Sequence, residues 1–320
     1  NYNTAVGYAA LTANTTGNRN TAFGKSTLET VTTAGDNTGL GAYALRVNTS
    51  GAYNTAVGSG SLTSNTTASN NVAVGYHSLE ANTTGASNAA VGYGALAANT
   101  TASDNTAVGK SAMLNNTTGA NNTALGRAAL SANTTAGNNT AVGWYSLVTN
   151  TTGTNNVAVG KGALDANTTA SANTALGRDA LGANTTADNN TAVGNWAMAT
   201  NTTGANNTAV GSNAFGYNTT GINNVAMGSS SLLANTTGED NISIGTGTMV
   251  ANTTGSYNTA IGSDALDANT TGGNNTAVGY GALDSNTTAS YNTAVGRWAL
   301  QNNTTGDNNV ALGYLSLATN

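Results

Sequence analysis

The chain has 320 residues, a formal charge of −5 and only 7% charged residues, with no Cys, no Pro and one His. This excludes a disulfide framework, a Cys-based zinc site and a thiol nucleophile, and a single His cannot serve a repeated metal or Ser-His site. The acidic balance argues against a nucleic-acid partner, which needs a basic stripe to neutralise phosphates, and no apolar run approaches the ~20 residues of a membrane-spanning helix.

In chain order, Asn-Thr-Ala-Val-Gly begins at Asn3 and recurs at Asn20, Asn37, Asn54 and onward to Asn309, without insertion or deletion: 19 copies of a 17-residue repeat. A fixed period of this kind marks a repeat architecture. With that Asn as position 1, Thr-Ala-Val at positions 2–4 predicts a short strand from its period-2 alternation. Gly at position 5, invariant from Gly7 to Gly313, ends the strand where the backbone must bend or take a positive φ. A small residue at position 8 followed by Leu, Met or Phe at position 9 reads as a second short extended piece. Asn-Thr-Thr-Gly at positions 12–15 supplies a turn, because Asn bonds its own backbone and Gly has no Cβ. A unit so short cannot hold a helical hairpin. The expected fold is all-β: a parallel β-solenoid (β-roll), one 17-residue repeat per coil, about 19 coils stacked ~4.8 Å apart. The chain reads as a single repeat domain over 1–320, uncapped at both ends and hence expected to be a fragment of a longer fibre.

Fixed and free positions differ sharply. Asn at position 1 (Asn3, Asn20, Asn54) and at position 12 (Asn14, Asn65, Asn82) is expected to form side-chain ladders from coil to coil, with Val31 the one break. Many position-12 residues sit in formal glycosylation sequons such as Asn14-Thr15-Thr16, but an Asn stacked inward cannot carry a glycan. Positions 4 and 9 are expected to supply the large core side chains. Position 3 is Ala in 17 copies, with Gly39 and Ser243 the exceptions, and strand alternation then places it on the opposite, outer face. A small residue required there implies another copy of the chain close by, so Ala141, Ala158 and Ala175 are expected to mark a self-association face. The alternative is a flattened coil that needs Ala inside.

Asn-Thr-Ala-Val-Gly-x-x-Ala-Leu resembles the head repeat of YadA-like trimeric autotransporter adhesins, with Asn71–Gly75 and Asn241–Gly245 nearest to it. Similar arrays occur in phage tail-fibre-like and bacterial surface proteins. The family's repeat is shorter than the 17 residues seen here. The resemblance implies a left-handed roll, three copies packed together, and an extracellular location on a cell surface or a phage fibre.

The free positions carry the remaining chemistry. Position 6 is Tyr, Trp, Lys or Arg in 12 copies, among them Tyr76, Tyr93, Trp144 and Arg297, and position 7 adds Tyr145, Trp196 and Trp298. These side chains are expected to shield the strand ends, or to bind a surface glycan or matrix polymer. The 13 carboxylates are scattered. Asp264, Asp267 and Asp284 are expected near one another, but on a flat surface without a cleft. No catalytic group, metal site or cofactor is expected. The functional expectation is a rigid segment of an extracellular fibre or adhesin. The alternative is an ice-binding solenoid with Thr ranks at positions 2, 13 and 14, against which Val72, Ala89, Val157, Val225, Ile242 and Val310 interrupt the rank at position 2.

Overall fold

The computed structural model describes residues 2–319 and is all-β, with one three-residue strand per repeat and no helix among these residues. It divides into two compact units, residues 1–156 and 157–320. In the first, β1 (Thr4–Val6) is followed at 17-residue steps by eight more strands up to β9 (Thr140–Val142). In the second, the series runs from β10 (Val157–Val159) to β19 (Val310–Leu312). Within each unit successive strands pair in parallel and in register, Thr4, Ala5 and Val6 against Thr21, Ala22 and Phe23, and Thr191, Ala192 and Val193 against Thr208, Ala209 and Val210. Each unit is therefore a parallel β-solenoid with one repeat per coil, as its period implies.

The expected second extended piece is instead a turn. Positions 7, 9 and 17 hold residues with positive φ in coil after coil, for example Ser111 (58°), Met113 (48°) and Asn121 (60°). Extended alternation would send positions 8 and 9 to opposite faces. The left-handed residues on either side of position 8 instead deliver both side chains inward, so that Ala112 and Met113 are both fully buried. Corner backbone groups bond the neighbouring coil just as the strands do. Met113 N–H donates to Ala129 O at 3.0 Å, and Ser111 N–H donates to Tyr93 O at 2.9 Å. Buried backbone polar groups thus find partners through the stacking itself.

Position 5 needs Gly on two counts. Gly109 has φ +136°, and a Cβ there would stand 2.5 Å from the carbonyl oxygen of Gly126 in the next coil.

The inner wall corrects one expectation. Position 3 is the core: Ala141, Ala158 and Ala175 are all 0% exposed. They cannot form an outer self-association face, and the flattened coil with Ala inside is the arrangement found. Position 4, expected to fill the interior, points outward, with Phe23 57% and Leu125 47% exposed. The cause is the small radius of the coil. Positions 8 and 9 both turn in, so one large side chain per coil, at position 9, already fills the space left by the Ala column. The two exceptions at position 3 have local reasons. Gly39 leaves room for Thr27, whose Cγ2 would lie 2.5 Å from an added Cβ. Ser243 is buried with its hydroxyl accepting from Ser231 Oγ at 2.8 Å and donating to Thr248 O at 3.0 Å.

Both Asn columns are buried and bonded. Along position 12 the Nδ2 of one Asn donates to the Oδ1 of the preceding one, Asn65 to Asn48 at 2.9 Å, Asn82 to Asn65 at 3.0 Å and Asn116 to Asn99 at 3.0 Å. At position 1 the main bond differs from the expected amide pair. Asn20 N–H donates to Asn3 Oδ1 at 2.9 Å, and Asn71 N–H donates to Asn54 Oδ1 at 3.0 Å. The two columns meet on the position-15 carbonyl, where Gly119 O accepts from Asn105 Nδ2 at 3.0 Å and from Asn116 Nδ2 at 2.9 Å. Val31 interrupts the position-12 column. It offers no donor to Asn14, whose Oδ1 is buried and unpartnered, alone in this among the described residues. The last Asn of that column, Asn320, lies outside the described residues.

Candidate functional site

Two outer surfaces carry the exposed chemistry. The first is the outward face of the strands, built from positions 2 and 4. No copy has a charged residue at either position. On the first unit Phe23, Leu40, Val72, Val91 and Leu125 are exposed, and on the second Val157, Leu176, Met227, Ile242 and Ile261. The in-register pairing aligns these side chains into ranks one coil apart, with Thr the commonest residue at position 2. The Thr hydroxyls of position 13 are committed to the backbone of the next coil. Thr117 Oγ1 donates to Thr134 O and Thr202 Oγ1 to Thr219 O, both at 2.9 Å.

The second surface is the corner formed by positions 6, 7, 10 and 11. The left-handed residue at position 7 throws its side chain outward beside that of position 6, so aromatic and cationic groups from adjacent coils meet. The residues singled out from sequence fall into four separate places. Tyr76 and Tyr93 stack with centroids 5.6 Å apart, and His77 lies 3.9 Å from Tyr76 and pairs with Glu80. Trp144 and Tyr145 lie 4.9 Å apart. Arg297 sits 3.8 Å over Trp298 and 5.5 Å over Tyr280, and Tyr314 lies 6.0 Å beyond Trp298. Trp196 stands apart from these, with the Arg178 guanidinium 4.8 Å over its ring and its indole N–H donated to Asp179 Oδ2 at 2.9 Å.

The corner also carries a cavity, in coils that hold none of Asp264, Asp267 and Asp284. Beside Trp196 the second unit has a cavity of about 500 Å³, lined among others by Asp165, Asp179, Trp196, Asn213 and Tyr217. Position 10 of three successive coils is Gly182, Ala199 and Gly216; the first two form the floor, and Leu233, over Gly216, closes one end. Nowhere else in the chain do three consecutive copies carry Gly or Ala at position 10. That run was the available signal, and reading position 10 as merely variable misses it. Burial and then the neighbouring Asp179 raise the pKa of Asp165. Farther along, Asp267 is raised by burial, then by Asp284 and Asp264, and Asp284 is raised chiefly by burial. These three carboxylates do crowd one another, as their spacing implies. Among the described residues no three His, Asp or Glu side chains are placed to hold a metal ion.

No protein-family model matches the chain, and no curated protein matches it.

Proposed function

We propose that the chain is a structural segment of an extracellular fibre or adhesin, a rigid β-solenoid that associates with copies of itself through the outward face of its strands. The observation that carries this reading is the uncharged face of positions 2 and 4, on which large apolar side chains stand exposed coil after coil. Contiguous apolar patches of such extent mark interaction surfaces. A surface that repeats identically is best matched by another copy of itself, and a trimer is favoured because it lets every copy bury this one face, as in the adhesin heads that the repeat resembles. The proposed role is mechanical and holds a surface-attachment function at a cell or phage exterior. The measurement is mass by light scattering of the purified chain: three times the chain mass is expected. Placing Lys at Val108, Leu125 and Val142 should lower that mass to a monomer while the β-type circular dichroism persists. A wild-type chain that stays monomeric at tens of micromolar overturns the reading.

The same face supports a second reading, an ice-binding solenoid, because the position-2 hydroxyls form outward ranks such as Thr174, Thr191 and Thr208. Thermal hysteresis with ice shaping by a monomeric chain is the outcome that would favour it.

A further inference from the structure

From the trough beside Trp196 we infer a binding site for neutral sugars of the hexose or N-acetylhexosamine kind. The inference deepens the adhesin reading by naming a ligand class, but the site lies on the corner and not on the strand face.

The floor of the trough is Gly182 and Ala199, side chains so small that backbone is laid bare there, while Gly216 lies buried under the Leu233 side chain. Two coils at ~4.8 Å spacing leave a floor about one pyranose ring long. Aromatic faces stand at its sides: Trp196 is 43% and Tyr217 58% exposed. Each is an amphipathic ring with an apolar body for the C–H face of a sugar and a polar tip. Trp196 is held before any ligand arrives, by the indole N–H bond to Asp179 and by Arg178 over its ring. Preorganised rings bind with less loss of side-chain freedom. Polar groups converge on the same space. The Asp165 and Asp179 carboxylates accept from hydroxyls, and the Asn213 amide both donates and accepts. Thr200, also in the lining, is spent on structure, its hydroxyl shared between Gly216 O and Asn218 O at 3.0 Å each. Aromatic walls with a few aimed polar groups are the usual make-up of a small-molecule site. Asp179 is ion-paired with Arg178 at 3.4 Å, so with Asp165 the site keeps a modest negative balance that opposes acidic sugars without calling for a cationic one. With Leu233 closing one end, the trough suits a terminal sugar whose chain continues past the other.

The natural repeat supplies the test. Position 10 is Leu at Leu114 and Leu233, so Ala199→Leu fills the trough with a residue the coil already accepts. Cellohexaose and chitohexaose are titrated by calorimetry into wild type, Ala199→Leu and Trp196→Ala, with a heparin hexasaccharide and choline as comparators. One of the two neutral hexasaccharides is expected to bind with Kd tighter than about 10 mM. Ala199→Leu should abolish that binding with an unchanged melting curve, and Trp196→Ala should weaken it by roughly tenfold or more. Failure of both neutral sugars overturns the inference, as does binding undiminished in both variants. Binding of heparin or choline in their place overturns it too. Light scattering on the same samples reads self-association separately, so loss of the sugar site and loss of the fibre reading are distinguishable.

Discussion

The inner wall of the coil and its outer corner obey opposite rules. Inside, each side chain meets the same side chain of the next coil, so Asn116 must satisfy both Asn99 and Asn133, and Gly109 must clear Gly126. A change there is felt on both sides, and the column is fixed for that reason. At the corner the backbone still bonds the next coil, but the side chains project outward and need not match, so Asp179, Trp196 and Asn213 follow one another at the same position. Constraint thus reports stacking, whereas chemical individuality collects where stacking is indifferent. In this chain the invariant residues describe the scaffold, and the variable ones are where a ligand would find a place.

Four substitutions break or sharpen that contrast. The largest effect is expected from Gly109→Ala in the stacked backbone at the strand end, which combines a φ of +136° with a Cβ 2.5 Å from Gly126 O. A loss of about 3 kcal/mol or more is expected in denaturant unfolding, and a loss below 1 kcal/mol would mean that the coils stack less tightly than described. Asn116→Ala comes next. It removes the donor to Asn99 Oδ1 and the acceptor of Asn133 Nδ2. Leaving buried polar atoms unpaired costs about 1–3 kcal/mol each, seen as a lower urea midpoint. Val31→Asn runs the other way, since it offers Asn14 Oδ1 the missing donor. A gain of about 1 kcal/mol is expected, detectable as a raised midpoint in the same titration.

The smallest effect belongs to the corner. Asp267 has its pKa raised by burial, then by Asp284 and Asp264, so the folded state holds its proton more tightly than the unfolded chain does. Its contribution to stability is full below the ordinary carboxylate pKa near ~4 and is lost as pH rises through the elevated folded value. Asp267→Asn should therefore raise stability at pH 7, by less than ~1 kcal/mol because solvent screens a half-exposed group. It should also flatten the slope of melting temperature against pH between about 4 and 7. An unchanged slope would mean that the three carboxylates do not interact.

The 17-residue period, the invariant Gly and the Asn columns make the solenoid and its ladders legible from sequence, because each rests on a rule that acts locally and repeats. The facing of positions 3 and 4 was not legible. Alternation says only that they face opposite ways, and the choice depends on the positive φ of residues such as Leu130 and Leu147, which Leu gives no hint of on its own. The aromatic corner was visible as composition at positions 6 and 7, and its splitting into four places follows simply from which coils carry the rings. The trough was hidden for a different reason. It arises from what Gly182, Ala199 and Gly216 lack, and a missing side chain stands out only when successive copies are read as one column.

The left-handed position 9 of each coil, a Leu, Met or Phe, has a consequence for how the chain acquires its form. A non-glycine residue in that conformation is disfavoured by about 1–2 kcal/mol, and three such positions recur per repeat. No coil can hold this outline alone, because the bonds that compensate come from the coil beside it. Folding should then proceed as a layered crystal grows, with a slow step that sets the first few layers and rapid addition to an existing end. Chains shortened by several repeats should refold after much the same initial delay as the full chain, since the delay belongs to the seed.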